Sequence, residues 1–250
     1  MSEPIKSKRG LGEFYDDPQV VESYMQRTAQ PLGAVLHERQ VGFIDRLLGE
    51  LAPTRILEIA PGPARLSAEL RAVPVAVAMD FSPRMLAEAR RRTRAHGRLH
   101  WSFVRGDGFA LPFATGTFDL VFSVRFVRRF EPEPRQRLYA EIRRVLRPGG
   151  HLVLDAQNEL VAGPHREGRG GYPVYDALWR RDDLIAELES AGFAVRHLEG
   201  IMRQFAWQWR LHRLRRFRLG AAARVLIRAL EWAPDRNPST WMVLCRAKGS

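Results

Sequence analysis

The chain has 250 residues, 45% of them hydrophobic, which is enough for one sizeable core with appendages. Its single cysteine, Cys245, excludes an internal disulfide and a cysteine-rich metal site, and the seven histidines show no metal-ligand spacing, so we expect no metal. No apolar run is long enough for a membrane-spanning helix, and residues 1–10 are polar and basic, unlike a secretory signal, so we expect a cytoplasmic protein.

The formal net charge of +12 favours an acidic partner. The candidates are a nucleic acid, an anionic membrane surface and a negatively charged substrate. Most of this charge is arginine. A genome rich in G and C would produce the same composition by placing arginine on ordinary solvated surfaces. The charge therefore bears on association and solubility and not on the fold.

Helical patterns at 18–27 and 34–51 precede the first strand and predict an N-terminal helical cap over residues 1–52. Short apolar runs follow at 55–60, 75–80, 118–124 and 151–156, with a shorter strand at 101–105. Helical patterns at 64–72, 83–96 and 134–146 lie between them. Apolar strands that alternate with amphipathic helices predict an α/β, doubly wound, mostly parallel sheet that is covered on both faces.

The last third of the chain begins with a loop rich in glycine and arginine at 163–171. A helix at 182–191, a strand at 193–199 and a final strand at 240–246 complete a set of seven strands. Residues 200–238 are too many for a tight hairpin and predict one or two inserted helices. The predicted division is a cap at 1–52 and one domain at 53–250, with a helical insertion at about 200–238.

The segment from Ile56 to Arg65 places a strand, a turn of small residues and a helix start in succession. Such a turn lets the backbone approach a ligand, and the N-terminus of a helix offers free N–H groups. Asp80 closes the second strand, where a carboxylate accepts hydrogen bonds from the ribose hydroxyls of a nucleoside. Taken alone, Asp80 or Ser82 would instead be the N-cap of the next helix, and the loop upstream favours the nucleoside site.

Four blocks occur in one order: Ile56 to Arg65, Arg105-Gly106-Asp107-Gly108-Phe109, Leu111 to Val121, and Arg147 to Leu154. In this order they resemble the class I S-adenosylmethionine-dependent methyltransferases, and among them the small methyltransferases described as type 11. The resemblance implies a Rossmann-like seven-stranded sheet with an antiparallel last strand, and S-adenosylmethionine as the cofactor.

The same resemblance implies a cofactor site at the ends of the first strands. Asp80 is assigned to the ribose, Phe81 and Met85 to the adenine ring, and Asp107 to the adenine amino group. Ser123 is assigned to the methionine end, although it is equally an ordinary strand-end cap. The full predicted set is Glu58, Ala60, Gly62, Asp80, Phe81, Met85, Asp107, Gly108, Phe109, Ser123, Tyr24 and Arg27.

The first loop departs from the family pattern, because Ala60, Pro61, Pro63 and Ala64 stand where glycine or cysteine is more usual. We therefore expect a stiffer loop than in relatives. In the cap, Arg27 is either a two-donor partner of the methionine carboxylate or, like Tyr24 and Tyr15, an ordinary helix-surface residue.

An acceptor that begins protonated needs a base, and His165 and Tyr172 are the predicted catalytic candidates, with Tyr175 and His37 as further choices. Each also fits a structural or solvent-facing position. Arg125, Arg128 and Arg129 either bind an acidic substrate or decorate a helix surface.

Residues 203–228 carry many arginines among apolar residues, and one continuous helix would bring Trp207, Leu211, Leu214, Ala221 and Val225 onto one face. This segment is either a basic amphipathic helix at an anionic membrane surface or a lid packed on the sheet edge.

The sequence thus predicts an S-adenosylmethionine-dependent methyltransferase whose acceptor is a small organic molecule: a natural product, a quinone or a lipid precursor. An RNA methyltransferase and a non-catalytic S-adenosylmethionine-binding protein remain alternatives. A nicotinamide-dependent reductase is disfavoured, since neither a Gly-x-Gly-x-x-Gly loop nor a Tyr-x-x-x-Lys pair occurs.

Overall fold

A computed structural model describes residues 4–167, 173–234 and 237–248, and over these residues the chain forms a seven-stranded sheet. The strands are β1 (Arg55–Ile59), β2 (Val75–Asp80), β3 (Trp101–Arg105), β4 (Phe118–Ser123), β5 (Leu146–Gln157), β6 (Phe193–Ile201) and β7 (Thr240–Ala247). Their order across the sheet is β3-β2-β1-β4-β5-β7-β6. Strands β1 to β5 pair in parallel, and β7 runs antiparallel to both β5 and β6, which confirms the predicted fold class.

The described helices are α1 (Lys8–Tyr15), α2 (Pro18–Ala29), α3 (Pro31–Leu51), α4 (Pro83–Ala95), α5 (Pro132–Val145), α6 (Glu159–Glu167), α7 (Arg181–Ser190), α8 (Phe205–His212) and α9 (Gly220–Leu230). Several begin as the sequence signals dictate. Asp17 accepts a hydrogen bond from the Gln19 N–H at the start of α2, and Ser82 accepts one from the Met85 N–H at the start of α4. A proline occupies the first position of both helices, where its missing N–H costs nothing. None of the described helices is long and apolar enough to cross a bilayer.

Two apolar clusters cover the faces of the sheet. On one face, Leu57 of β1 packs in a cluster with Tyr139 of α5 and Leu184 of α7. On the other face, the neighbouring Ile56 packs with Phe43 and Ile44 of α3. Since successive side chains of a strand point to opposite faces, Ile56, Leu57 and Ile59 of β1 are all apolar because both faces of the strand are buried.

The predicted helix at 64–72 is wrong, because residues 62–70 form consecutive turns instead. Gly62 and Ala64 both have positive φ, at +56° and +53°, so no regular helix can start at the loop. Further on, the Glu69 N–H bonds to the Leu66 carbonyl three residues back rather than four. Two other details differ from expectation. Helix α1 was not predicted, and residues 163–167, expected in a loop, belong to α6, while 168–171 lie outside the described residues.

Helices do fill the segment between β6 and β7, but the predicted single apolar face is wrong. A 3-10 segment (Arg213–Phe217) follows α8, and Arg218 then adopts φ +60°, which separates α8 from α9. Trp207 and Val225 are consequently 56% and 63% exposed. The buried positions are Gln208, His212, Ala223 and Ile227.

The C-terminus of α3 provides a test of backbone strain. Ala52 follows the helix in the left-handed conformation (φ +43°, ψ +51°) with an exposed side chain. Because glycine adopts this conformation without strain, Ala52→Gly should raise the free energy of unfolding by about 0.5–1 kcal/mol, measured by urea denaturation. The matched control Ala87→Gly, at an exposed site inside α4, should lower it by about 1 kcal/mol. Equal losses in both variants would contradict the assignment of strain to Ala52.

Candidate functional site

The carboxyl ends of β1, β2 and β4 meet at a cavity of about 920 Å³, part of which is open to solvent. In the strand order β3-β2-β1-β4-β5, the connections reverse direction between β1 and β4, and such switch points are where open parallel sheets bind ligands. Leu11, Gly12 and Tyr15 of α1 form a wall on the solvent side. Of the predicted cofactor-binding residues, those that line this first cavity are Tyr24, Ala60, Gly62, Asp80, Phe81, Met85, Asp107, Gly108 and Phe109.

The first loop keeps a left-handed backbone at three alternate positions, where Ala60, Gly62 and Ala64 have φ of +56°, +56° and +53°. Alanine in this region costs roughly 1–2 kcal/mol, which glycine would avoid. The departure of the sequence from a glycine-rich loop therefore leaves the loop conformation intact at an energetic cost. The methyl group of Ala60 faces the cavity, while Ala64 is fully buried.

Asp80 at the end of β2 holds this loop in place. Its Oδ2 accepts a hydrogen bond from the Gly62 N–H (3.0 Å), and its Oδ1 accepts one from the Ser82 N–H (2.9 Å). Burial raises the pKa of Asp80 to about 6, despite these hydrogen bonds to its charged form. Ser82 and not Asp80 caps α4, so the carboxylate keeps free lone pairs toward the cavity.

The N-terminal helices are tied directly to this point. The Ser82 hydroxyl donates to Oδ1 of Asp16 (2.6 Å), the residue that follows α1. The Phe81 ring packs so close to Gly12 that a Cβ on Gly12 would lie 2.9 Å from it. The cap therefore covers the cavity as a consequence of specific contacts with β2 and its following turn.

The far wall of the cavity comes from the segment after β3. The Asp107 carboxylate accepts a hydrogen bond from the Phe109 N–H (3.0 Å), which folds the segment into a tight turn. A Cβ on Gly108 would lie 3.1 Å from the Phe126 ring, so this close approach requires glycine. Phe109 stands edge-on to Phe130, with ring centroids 4.9 Å apart.

Glu58 and Ser123 lie beneath the loop rather than in the cavity wall. Glu58 is 2% exposed and accepts a hydrogen bond from the Ser67 hydroxyl. Burial raises its pKa to about 7, although Ser67 and Arg65 oppose the shift. The buried Ser123 hydroxyl donates to the Ile59 carbonyl (3.0 Å), joining the ends of β4 and β1. In this structure both residues support the loop from below.

Tyr24 of α2 and Arg125 meet at the inner end of the cavity. The Arg125 guanidinium carbon lies 4.7 Å from the centroid of the Tyr24 ring. Burial opposes ionisation of the Tyr24 hydroxyl, but the charges of Arg125 and Arg65 outweigh it and lower its pKa to about 8. A tyrosine that ionises this readily combines an aromatic face and a weak base in one position.

A second cavity, of about 1110 Å³, adjoins the first and shares Arg125 and Arg129 with it. Arg27 lines this second cavity and not the first. His165 also lies here, edge-on to Phe205 and Trp209 at centroid distances of 5.1 Å and 4.6 Å.

The other candidate bases lie elsewhere. Tyr172 lies outside the described residues, and Tyr175 lines neither cavity. His37 is buried between Arg65 (2.6 Å) and Glu69 (2.7 Å), and burial together with the charge of Arg65 lowers its pKa. Its ring is therefore a neutral structural link.

Sequence reasoning missed Arg65 and, in α1, Leu11 and Gly12. Arg65 follows the loop directly, and because residues 62–70 form turns instead of a helix, its side chain reaches Gln40 of α3 (2.8 Å). An arginine in an otherwise small and apolar segment was the one available signal.

The buried Glu58 predicts a pH dependence of stability. Its folded-state pKa of about 7 exceeds the ordinary 4.5, so its contribution is complete below pH 4.5 and is lost as the pH rises through 7. Glu58→Gln should remove a decline of about 3 kcal/mol in unfolding free energy between about pH 5 and pH 8, measured by urea denaturation. Glu50→Gln, at an exposed end of α3, should leave the slope unchanged. An identical slope in wild type and Glu58→Gln would contradict the buried state of this carboxyl.

Tyr24 predicts a second titration. The ultraviolet absorbance of tyrosinate should rise near pH 8 in the wild type and not in Tyr24→Phe. Arg65→Gln removes one of the lowering charges, so the pKa of Tyr24 should move upward, toward its ordinary value of about 10. If Arg65→Gln leaves the Tyr24 titration unchanged, Arg65 does not act on this hydroxyl.

Comparison with known proteins gives matches to methyltransferases over part of the chain. Residues 56–150 match the family described as methyltransferase domain. A demethylmenaquinone methyltransferase from Thermus thermophilus is 43% identical over 108 residues, which are 42% of this chain and 48% of that protein. A malonyl-(acyl-carrier protein) O-methyltransferase from Legionella pneumophila is 36% identical over 108 residues, 42% of this chain and 37% of that protein. The chain thus spans about half or less of the length of these curated relatives.

Among solved structures, magnesium protoporphyrin IX methyltransferase from Synechocystis PCC 6803, with bound S-adenosylhomocysteine, has a TM-score of 0.69 at 12% identity. The similarity covers 97% of this chain and 100% of that one. A possible histamine N-methyltransferase from Thermotoga maritima has a TM-score of 0.67 at 16% identity, over 94% and 99% of the two chains. Residues 56–150 therefore resemble a methyltransferase domain, and the fold of the chain is similar to that of S-adenosylmethionine-dependent methyltransferases.

Proposed function

We propose that this protein transfers the methyl group of S-adenosylmethionine to a small organic acceptor. The observation that carries the proposal is the Asp80 carboxylate, which lies at the end of β2 and is bonded to the first loop through Gly62. A carboxylate in that position accepts hydrogen bonds from ribose hydroxyls, and a cavity lies directly in front of it.

The lining residues fit the remaining parts of such a cofactor. Phe81, Met85 and Phe109 offer apolar surface for the adenine ring, and the Asp107 carboxylate can accept from its amino group. The methionine part would extend along the Ala60–Gly62 loop toward Tyr24. When bound, the cofactor supplies an electrophilic methyl group on a positively charged sulfur, which aromatic faces and carboxylates attract.

The chain's own contribution is positioning, exclusion of water and removal of a proton. The contact of Ser82 with Asp16 holds the cap over the cavity, which keeps water from the reacting atoms. Tyr24 lies where the two cavities meet, and with a pKa of about 8 its hydroxyl is suited to accept a proton from the acceptor near neutral pH. We infer that Tyr24 is a stronger candidate base than His165, whose ring packs between Phe205 and Trp209.

The relatives support a small acceptor, since their names specify a demethylmenaquinone in one case and a malonyl group on a carrier protein in the other. An RNA acceptor is less favoured by the structure. The arginines beside the first cavity, Arg65, Arg128 and Arg129, are at most 4% exposed, whereas a polynucleotide bound at this site would need arginines along an open surface next to it.

A contact with anionic membrane is supported by the exposed aromatic side chains around α8 and α9. Trp207, Phe217 and Trp232 are 56%, 73% and 83% exposed on a segment rich in arginine. A protein that works in the cytoplasm on a lipid-soluble acceptor would use such a surface. We include this contact and a cytoplasmic location in the proposal.

The test of the cofactor is calorimetric titration with S-adenosylhomocysteine, with NADH as the control ligand. We expect micromolar binding of the first alone, and loss of affinity by at least about 100-fold in Asp80→Lys, because a cation there repels the sulfur-bearing ligand's ribose donors. Asp182→Lys makes the same charge change at an exposed site on α7 and should bind normally. Unchanged affinity in Asp80→Lys would contradict the assignment of this site. Binding without turnover of any acceptor would favour a non-catalytic binding protein.

A further inference from the structure

The second cavity has an unusual charge balance. Among the described residues, its lining contains six arginines and one carboxylate, that of Asp176; the arginines are Arg27, Arg65, Arg125, Arg128, Arg129 and Arg166. Most protein interiors pair buried charges one to one, because an uncompensated charge loses its hydration. An excess of cations around a partly enclosed space is therefore expected where an anion binds.

The carboxylate of Asp176 is shared among three of these arginines. It pairs with Arg128 (3.1 Å), Arg129 (3.3 Å) and Arg166. Asp155 lies behind the cavity, 3.6 Å from Arg128, and also accepts the backbone N–H of Arg125. The carboxylates of Asp176 and Asp155 thus lie among four arginine side chains.

Arg65 is 4% exposed, bonds to Nδ1 of His37 and Oε1 of Gln40, and forms no ion pair with a carboxylate among the described residues. Its charge lowers the pKa of Tyr24 and opposes the raised pKa of the buried Glu58. Since Arg65 lines the second cavity, the wall of that cavity holds a cation that has no carboxylate within ion-pair distance.

The location of the cavity links it to methyl transfer. Arg125 and Arg129 line both cavities, so an anion held among these arginines lies beside the end of the first cavity where Tyr24 stands. In the other direction the arginine-lined space continues into an apolar recess that includes Leu32, Met202 and Phe205. An organic molecule bound here would place its charge at the centre and its apolar part in the recess.

We propose that the second cavity is the acceptor site and that the acceptor is an organic anion, recognised through a carboxylate or phosphate by Arg65, Arg128 and Arg129, with an apolar part in the adjoining recess. This inference rests on the proposed function. One arginine can bind the cofactor's own carboxylate through two hydrogen bonds. That carboxylate therefore does not explain the presence of six arginines.

The experiment measures anion binding directly, without knowledge of the natural acceptor. Hexanoate, inorganic phosphate and the neutral hexanamide are titrated calorimetrically into the protein, with and without saturating S-adenosylhomocysteine, at constant ionic strength set with chloride. We expect hexanoate to bind and hexanamide not to bind, because the arginines require a negative charge. Binding of phosphate but not hexanoate would also support the site and identify a phosphorylated acceptor.

Arg65→Gln should weaken binding of the anion about tenfold or more, since it removes a buried charge while leaving no carboxylate without its partner. Arg91→Gln makes the same change at an exposed site on α4 and should bind as the wild type does. Circular dichroism checks that each variant folds, and Arg166→Gln replaces Arg65→Gln if that variant does not fold, because Asp176 keeps Arg128 and Arg129.

Three results would overturn the inference: no binding of either anion, an equal loss in Arg91→Gln, or displacement of S-adenosylhomocysteine by the anions. The last would mean that the arginines serve the cofactor carboxylate. Binding of hexanoate by a protein that does not bind S-adenosylhomocysteine would refute the proposed function and leave the anion site standing.

Discussion

The hydrogen bond from the Gly62 N–H to Asp80 is the interaction on which the site depends. It joins the turn after β1 to the end of β2, and it needs the left-handed backbone that Ala60, Gly62 and Ala64 adopt. The same carboxylate also accepts the Ser82 N–H, and Ser82 in turn caps α4 and contacts Asp16. Loop, strand, helix and N-terminal cap are therefore positioned through one buried acid, and the strain of two alanines is the cost of keeping it in place.

Acidic residues lie at one end of the site and arginines lie at the other. Glu58 and Asp80 lie at one end, with pKa values raised by burial to about 7 and about 6. Arg65 and Arg125 lie at the other end and lower the pKa of Tyr24. Under the proposed function, the acids would attract the cationic donor and the arginines would attract an anionic acceptor. The arrangement would bring a positive donor and a negative acceptor together at the junction of the two cavities.

Sequence patterns predicted the sheet well, because apolar runs such as 55–60 and 118–124 are buried on both faces and tolerate few polar residues. The end of the second strand predicted Asp80, and the family resemblance implied Asp107; both residues line the first cavity. They failed where the backbone departs from regular geometry: positive φ at Ala64 abolished the helix expected at 64–72, and positive φ at Arg218 broke the amphipathic face expected at 203–228. The arginine cavity could not be predicted either, because Arg27, Arg65 and Arg166 are distant in sequence and only the packing of α2 and α6 beside the first loop brings them together.

Elsewhere in the fold buried acids are matched to their donors. Asp119 accepts from the Thr54 N–H, the Thr54 hydroxyl and the Arg55 N–H, which fixes the start of β1 against β4. Glu187 of α7 accepts from Arg135, Tyr139 and Trp179, which joins α7 to α5.

The donors that face these two acids all have an acceptor. This is expected, because an unpaired buried polar group would destabilise the folded chain. The described lining of the second cavity instead holds six arginines and the single carboxylate of Asp176. The fold pairs its buried charges at Asp119 and Glu187. The excess of positive charge in the second cavity is therefore best explained by a ligand that carries negative charge.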